Sequence, residues 1–438
     1  MKLHLVSLGC ARNLTDSEVI LGRLQKAGHD IIKDAALAEV IIINTCSFIE
    51  QAIDESIDTI LELSKYKISG VCRRLIVAGC LPERFGEKIV ESLPEVDFFL
   101  GTGALDKIVH TVEKPLNATK CFLPDPNLTT FSEKNIIKVN TYPHIAYIKI
   151  SEGCNSHCTY CIIPKLRGRQ KSRPIQDIVN EARNLVASGI KELILVAQDT
   201  TSYGTDFAFS CDLARLLKSI ADISDSIWIR VLYGHPESIN DNIINTVVSH
   251  QNICSYFDIP VQHISKNILQ KMGRKYTRYD MYKLFGKIRG YAANSVLRTT
   301  VIVGFPGETD NDFNELLQFV KDIDFDHLGC FIYSDSFDLP SHNLPDHVPL
   351  HIAQQRYDQI MSSQMEISRT NNKKHIDKTF KVLIEEQSDN NTYTGRTYFQ
   401  APDVDGITYI NSADLQINSF ANVKITDAFE YDLKGEMK

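Results

Sequence analysis

The feature that most constrains the fold is a regular alternation of strand-like and helix-like segments, which occurs twice along the 438-residue chain. In the first block, the apolar runs KLHLVSLG, EVIIINTC and RRLIVAGC alternate with helical patterns from Asp16 to about Ala27 and from about Glu50 to Tyr66. Because parallel strands need crossover helices, this rhythm predicts a doubly wound parallel sheet over residues 1–115. Such a sheet binds its ligands at the carboxyl ends of its strands.

A second block of six strand-like runs, each followed by a segment long enough for a helix, occupies residues 144–374. The runs are HIAYIKIS, ELILVAQ, SIWIRVLY, YFDIPVQ, SVLRTTVIVGF and DHLGCFIYS. Six such units predict a partial, open (β/α)6 version of the TIM-like barrel, with its chemistry at the carboxyl ends of the strands. Between the two blocks, residues 116–143 contain several prolines and little periodicity, which predicts a linker.

From residue 375 to residue 438 the pattern changes to short alternating runs. These runs are TFKVLIEE, TYTGRTY, GITYIN and FANVKITDAFEYDLKGEM, and they are separated by Asn, Asp and Gly. Short strands with turn residues between them predict a small antiparallel β-barrel.

Composition narrows the class of protein. The chain is 43% hydrophobic and 23% charged, as is usual for a globular protein, and its formal net charge of −8 gives no general support for a nucleic-acid binder. No apolar stretch approaches the ~20 residues of a membrane helix and no secretion signal begins the chain, so we expect a cytoplasmic enzyme without a membrane partner. Eleven cysteines in such a chain favour metal or catalytic thiols over disulfides.

Six of these cysteines form two sets of three. One set lies in the loop GCNSHCTYC directly after the first predicted barrel strand, and the other ends three strands of the N-terminal sheet. The loop cysteines are Cys154, Cys158 and Cys161, and the strand-end cysteines are Cys10, Cys46 and Cys80.

Three thiols leave a coordination position open. A structural zinc site normally closes with four ligands, whereas three thiolates on a four-iron four-sulfur cluster leave one iron free to bind another ligand. For the loop cysteines the alternative is a zinc site completed by His157 or by a distant residue. For the strand-end cysteines the alternative is that each is a small buried hydrophobic side chain.

The motifs around both sets resemble those of one enzyme family. SLGCARNLTDSE, NTCSFIEQAIDES, VAGCLPER, ISEGCNSHCTYCIIPKLRGRQKSRP and VIVGFPGE together resemble the radical S-adenosylmethionine methylthiotransferases. The resemblance covers the whole chain and implies an N-terminal methylthiotransferase domain, a radical barrel and a C-terminal TRAM domain. It also implies two four-iron four-sulfur clusters: the loop cysteines hold the one that binds S-adenosylmethionine, and the strand-end cysteines hold an auxiliary one.

The resemblance further implies how the cofactor is used. One S-adenosylmethionine methylates a sulfur, and a second yields the 5′-deoxyadenosyl radical that removes hydrogen from the substrate carbon. Residues at the ends of the second and fifth barrel strands are candidates for contact with this cofactor. They are Gln198, Asp199, Gly304, Gly307 and Glu308. For the last three, a tight turn before a helix is the alternative.

Members of this family modify either an isopentenyl-adenosine in transfer RNA or the β-carbon of an aspartate in small-subunit ribosomal protein S-twelve. From Ile376 onward the chain has six Lys or Arg and eleven Asp or Glu. An acidic module suits a basic ribosomal protein better than nucleic-acid phosphates, although a merely solvated acidic face is the alternative. The predicted substrate is therefore S-twelve, free or in the small subunit, with transfer RNA as the alternative and nucleic acid not expected to be modified.

Local motifs favour the same substrate. SLGCARN, TCSFIEQAIDES, CIIPKLRGR and GRTYFQAPDVDG resemble the protein-modifying members more than the RNA-modifying ones. Residues 333–349, YSDSFDLPSHNLPDHVP, depart from the acid-then-glycine form expected after the sixth barrel strand. The basic run KLRGRQKSR beside the loop cysteines is either a solvated surface or a contact for an anionic substrate or a flavodoxin-type or other low-potential reductant.

Overall fold

The computed structural model describes residues 1–114, 120–129, 138–389 and 391–438. Its N-terminal part is a six-stranded parallel sheet in the order β2-β1-β3-β4-β5-β6. The elements are β1 (Lys2–Ser7), α1 (Ala11–Lys26), β2 (Asp30–Ile31), β3 (Val40–Thr45), α2 (Glu50–Ser64), α3 (Tyr66–Ser69), β4 (Arg74–Gly79), α4 (Cys80–Phe85), α5 (Lys88–Ser92), β5 (Phe98–Leu100), α6 (Ile108–Glu113) and β6 (Cys121–Phe122). The strand order reverses between β1 and β3, since β2 lies on one side of β1 and all later strands lie on the other, so this is the topological switch point.

Helices cover both faces of this sheet, as the doubly wound prediction requires. Ile42 of β3 packs with Ile20 of α1 and with α6 on one face, whereas Ile41 and Ile43 pack with Ile60 of α2 on the other. A strand that is buried on both faces has a continuous apolar sequence, which is why EVIIINTC was recognisable.

Two details differ from the expected boundaries. Helix α1 begins at Ala11 rather than at Asp16, because its first turn is polar and hides the apolar periodicity. Part of the predicted linker, residues 116–143, lies outside the described residues, but its Cys121–Phe122 pairs with β5 as the edge strand β6. A two-residue strand is too short to leave an alternating pattern in the sequence.

The central part contains all six predicted barrel strands. The elements are β7 (Ile145–Lys149), β8 (Ser151–Glu152), α7 (Ile163–Arg167), β9 (Lys171–Ser172), α8 (Ile175–Ala187), β10 (Glu192–Val196), α9 (Leu213–Ala221), β11 (Trp228–Val231), α10 (Asp241–Ser249), β12 (Tyr256–Asp258), α11 (Lys266–Lys271), α12 (Arg278–Tyr291), β13 (Val296–Val303), α13 (Asp310–Ile323), β14 (His327–Ile332) and α14 (Leu350–Lys373). Strands β7, β10 and β11 and strands β12, β13 and β14 form two parallel sheets, which a bridge between Ile229 and Ile253 joins. Among the described residues β7 does not pair with β14, so the barrel is open.

The C-terminal part is a closed five-stranded barrel in the order β15-β16-β17-β19-β18. Its strands are β15 (Thr379–Asp389), β16 (Thr392–Thr397), β17 (Thr408–Asn411), β18 (Ser419–Ala428) and β19 (Leu433–Met437). The expected antiparallel pairing holds except between β17 and β19, which are parallel. A ring with an odd number of strands cannot alternate direction at every pairing, so one parallel pair is required.

This small barrel packs against the inner face of the open barrel. Tyr147, Ile194 and Trp228 of the central sheet share one apolar core with residues of the C-terminal barrel. The ring centroids of Trp228 and Phe420 are 4.7 Å apart. The C-terminal barrel therefore covers the inner surface that the open side would otherwise leave exposed, and it is part of the core that supports the strands.

A buried ion-pair cluster crosses the same interface. Glu192 of β10 lies 2.6 Å from Arg230 Nε of β11 and 2.7 Å from Arg396 Nη2 of β16. Burial opposes the charged form of Glu192, but the two guanidinium groups hold its pKa below its usual value. The cluster therefore fixes the C-terminal barrel to the central sheet with charges that have no access to water.

The change Glu192→Ala is expected to lower the stability of this interface by about 3–5 kcal/mol, because it leaves the buried Arg230 guanidinium without a carboxylate partner among the described residues and Arg396 with Glu385 alone. Trp228, the only tryptophan, lies in the interface, so its fluorescence during urea unfolding of the metal-free protein reports the change. Glu366→Ala, on the exposed surface of α14, is the matched control. Equal unfolding midpoints for the two variants would contradict the expectation.

In the described part of the chain, no helix has the length and apolar character needed to cross a membrane.

Candidate active site

The strand-end cysteines lie at the carboxyl ends of three adjacent strands. Cys10 follows β1, Cys46 follows β3, and Cys80 begins α4 immediately after β4. Gly9, at a φ of +86°, allows the first two loops to approach closely, since a Cβ there would lie 2.9 Å from Cys46 Sγ. The switch point of the sheet thus brings the three predicted thiols to one place.

Two arginines face these thiols. Burial would raise the pKa of Cys10, but Arg12, whose Nε donates to Cys10 Sγ at 3.4 Å, holds that pKa at about 7. Burial raises the pKa of Cys80 despite Arg167, whose Nη2 donates to Cys80 Sγ at 3.4 Å. Burial raises the pKa of Cys46 to about 11. Guanidinium groups favour the thiolate form, which is the form that binds metal.

The loop cysteines lie between β8 and α7, beyond the first barrel strand. The backbone N–H of Ser156 donates to Cys154 Sγ at 3.4 Å. Burial raises the pKa of Cys161 to about 12 and also raises that of Cys158. Neighbouring thiols also oppose the ionisation of Cys158 and Cys161, which adds to the effect of burial on their pKa values.

Contacts from outside the loop fix its conformation. Thr159 Oγ1 donates to the carbonyl oxygen of Lys271 at 2.7 Å, and Arg274 Nη2 donates to Tyr160 Oη at 2.7 Å. His157 of the zinc alternative is exposed. Within the described ranges no three His, Cys, Asp or Glu side chains are arranged to hold a single metal ion. A four-iron cluster is larger than one ion and holds its three thiolates further apart.

A buried ion-pair network joins the N-terminal sheet to the barrel beside Cys80. Arg167 Nη1 lies 2.6 Å from Asp16 Oδ2 of α1 and 3.3 Å from Glu152 Oε2 of β8. Lys149 pairs with the same two carboxylates. Arg167 also contacts Cys80, so the ion pairs that hold Arg167 help to fix the Cys80 thiol relative to the barrel.

Gln198 and Asp199 follow β10, and their side chains differ in their hydrogen bonding. Gln198 Nε2 donates to Glu152 Oε1 at 2.5 Å, whereas Gln198 Oε1 is buried and has no hydrogen-bond partner among the described residues. Asp199 Oδ1 accepts from Thr201 Oγ1 at 2.8 Å, and its Oδ2 accepts from Ser238 Oγ at 3.0 Å. Gln198 therefore offers a vacant acceptor at a strand end, while Asp199 is already satisfied.

Gly304, Gly307 and Glu308 form a tight turn after β13. Both glycines have positive φ, and a Cβ on Gly304 would lie 2.5 Å from Ala353 Cβ of α14. The buried Glu308 Oε2 accepts from the backbone N–H of Phe305 at 3.0 Å. These contacts account for the motif as a turn, so contact with a cofactor stays a prediction for all three residues.

The divergent loop 333–349 packs beside the strand-end cysteines. Arg84 of α4 lies 2.7 Å from Asp338 Oδ1 and also donates to the carbonyl oxygen of Ser47. Asp338 thus links the end of the open barrel to the loop that follows Cys46, which gives this departure from the family pattern a structural role.

The basic run KLRGRQKSR is not a uniformly solvated surface. Arg167 and Arg173 are buried, and Arg173 Nη2 pairs with Glu181 at 2.7 Å. Lys165 is exposed but lies 3.4 Å from Asp338. The positive charge available to a partner is therefore smaller than the sequence suggests.

The acidic residues of the C-terminal barrel are likewise partly paired with arginines and partly exposed to solvent. Asp405 is buried against the core, where it accepts from Tyr256 Oη at 2.6 Å and lies 3.5 Å from Arg298 Nε. Glu385 pairs with Arg396 at 2.5 Å. The acids that face solvent are Asp377, Glu386, Asp389, Asp403, Asp414, Asp427 and Glu436.

Three known families match the sequence, one for each part of the fold. The uncharacterized protein family UPF0004 matches residues 2–101, the radical SAM superfamily matches residues 148–320, and the TRAM domain matches residues 376–437.

Curated relatives match from end to end. The ribosomal protein uS12 methylthiotransferase RimO of Desulfosudis oleivorans is 48% identical over 438 residues, which cover 100% of each chain. The protein of the same name from Clostridioides difficile is 45% identical and covers 100% of this chain and 99% of its own. Among solved structures, the radical S-adenosylmethionine methyltransferase TsrM of Kitasatospora setae aligns with a TM-score of 0.60 and 12% identity, covering 84% of this chain and 89% of that chain. The last likeness concerns the fold alone.

Proposed function

Since the chain belongs to the family of ribosomal protein uS12 methylthiotransferases, we infer that it transfers a methylthio group to uS12, the S-twelve protein of the sequence-based prediction. The observation that carries this function is the relatedness of 48% identity over the full length of both chains. It favours the protein substrate over transfer RNA. The acceptor we propose is the β-carbon of an aspartate.

We propose that the loop cysteines and the strand-end cysteines each hold a four-iron four-sulfur cluster. Each set supplies three thiols at the carboxyl ends of parallel strands, and this donor set suits a cluster with one open iron. When bound, the clusters supply the electron that cleaves S-adenosylmethionine and the sulfur that is transferred.

The side chains around the thiols position the other reactants. Gln198 Oε1, buried without a partner among the described residues, is the acceptor that we propose for the amino group of S-adenosylmethionine. Glu152 holds the Gln198 amide and, through Arg167, the thiol of Cys80. One carboxylate therefore contacts both the side chain proposed to bind the cofactor and the arginine that contacts Cys80.

The remaining partners and boundaries belong to the same proposal. The substrate is free uS12 or uS12 in the small subunit, which fits a cytoplasmic enzyme, and a flavodoxin-type or other low-potential reductant provides electrons. The exposed acids of the C-terminal barrel favour contact with a basic protein. The functional units are residues 1–115, 144–374 and 375–438, with 116–143 between the first two.

A competition experiment tests the function. Purified uS12 and isopentenylated transfer RNA are offered together to the reduced holoenzyme with S-adenosylmethionine and a sulfide source. Mass spectrometry is expected to find one added methylthio group on uS12 and none on the RNA. A uS12 variant with the target aspartate changed to alanine serves as the unmodified control. Label on the RNA with uS12 untouched would favour the alternative substrate instead.

A further inference from the structure

Arg12 lies between the strand-end cysteines and the mouth of the barrel. Its Nη1 donates to the carbonyl oxygen of Ala197 at 3.5 Å, and its guanidinium lies 4.5 Å above the ring of Tyr233. Ala197 and Tyr233 follow β10 and β11, so both are at the end of the barrel where its chemistry takes place. Since Arg12 Nε contacts Cys10, the guanidinium joins one of the strand-end cysteines to the end of the barrel.

The charge of Arg12 has no carboxylate partner in the described part of the chain. Every buried arginine there has one: Arg84, Arg167, Arg173, Arg230, Arg356 and Arg396. The hydrogen-bonded ionisable partner of Arg12 is the Cys10 thiol, and a carboxylate ligand would add a charge-assisted pair.

The guanidinium also has donors to spare. Two of its nitrogens are used, Nε toward Cys10 and Nη1 toward Ala197, whereas Nη2 donates to no described residue. A guanidinium offers five N–H groups in a planar fork that matches the two oxygens of a carboxylate. Nη2 is therefore available to donate to an anion with the geometry of a carboxylate.

The proposed reaction brings such an anion here, since its substrate is an aspartate. We propose that Arg12 binds the side-chain carboxylate of the target aspartate of uS12 and so selects aspartate over asparagine. The β-carbon is bonded directly to that carboxylate, so holding the carboxylate on Arg12 places the reacting carbon beside Cys10 at the carboxyl end of the barrel strands. This assignment rests on the proposed function.

A second arginine provides a contrast. Arg274 also lacks a carboxylate partner among the described residues, but it contacts Tyr160 within the loop cysteines and His235. It therefore lies on the side where S-adenosylmethionine is expected to bind, and its loss should not change the choice between aspartate and asparagine.

The test compares the affinity of the unreduced holoenzyme, with S-adenosylmethionine present, for uS12 and for uS12 whose target aspartate is changed to asparagine. The parent enzyme is expected to bind the aspartate form about 10- to 100-fold more tightly, the range for a hydrogen bond to a charged group. Arg12→Gln should remove this preference by weakening binding of the aspartate form alone. Arg274→Gln and the exposed Arg215→Gln should keep it.

Iron content and the visible spectrum of each variant are measured alongside. Equal loss of affinity for both forms, or an unchanged preference, would overturn the assignment and leave Arg12 as a residue that only supports Cys10. If Arg12→Gln loses iron, Arg12→Lys decides in its place, because it keeps a charge beside Cys10 without the planar fork: a reduced preference supports the assignment and an undiminished one overturns it. Failure of the parent enzyme to bind uS12 at all would instead contradict the proposed function, and this assignment with it.

Discussion

Replacing Cys154, Cys158 and Cys161 together with alanine is expected to remove about four of about eight irons from anaerobically reconstituted protein and to abolish cleavage of S-adenosylmethionine. Removing all three thiols leaves His157, which is exposed, and Tyr160, which is bonded to Arg274, and neither is expected to replace three thiolates. The strand-end thiols lie in a separate sheet with its own apolar core, so they should keep their cluster.

Iron analysis gives the first readout of this variant and chromatography of 5′-deoxyadenosine after reduction gives the second. Cys211→Ala is the control, because Cys211 is also partly exposed but lies outside both sets. It should keep its iron and its cleavage. A triple variant that retains all its iron, or that still forms 5′-deoxyadenosine, would refute the assignment of the loop cysteines.

The strands that carry the site were predictable because parallel strands buried on both faces have long apolar sequences. EVIIINTC and RRLIVAGC identified neighbouring strands, and the carboxyl ends of neighbouring parallel strands meet at one edge, which placed Cys46 and Cys80 together. The six runs of the barrel had the same character, and each became a strand. This part of the prediction rests on local patterns alone.

The polar groups that surround the cysteines were not predictable in this way. Arg167 contacts Asp16, which lies 151 residues earlier in the chain, and Arg12 reaches Ala197, which lies 185 residues later. In the sequence both arginines belong to short polar segments without periodicity. Such segments are usually exposed to solvent. The packing of the N-terminal sheet against the barrel brings Arg167 to Cys80, and it brings Arg12, already beside Cys10 in the chain, to Ala197.

The C-terminal barrel shows the limit of counting charges. The eleven acids from Ile376 onward indicated an acidic module, but Asp405 and Glu385 neutralise arginines at the interface with the core. The charge count predicts that this module binds a basic partner. In the structure the module also covers the inner face of the open barrel. A change that weakens substrate binding must therefore be sought among its exposed acids.

Replacing Cys10, Cys46 and Cys80 together with alanine is expected to separate the two halves of the reaction. About four irons should remain, cleavage of S-adenosylmethionine should continue, and methylthio transfer to uS12 should stop. The loop cysteines keep their own supports in this variant, because Lys271 and Arg274, which fix the loop, belong to the barrel.

The readouts are 5′-deoxyadenosine and the mass of uS12, taken from the same reaction. Cys121→Ala is the matched control, since Cys121 belongs to β6 of the same sheet but lies away from the switch point, and it should retain both activities. Arg167 is the group through which the two sites could influence each other, as it contacts Cys80 and Glu152. If the triple variant keeps about four irons and yet fails to cleave S-adenosylmethionine, the strand-end thiols also serve the radical step, and the separation of roles proposed for the two sets is wrong.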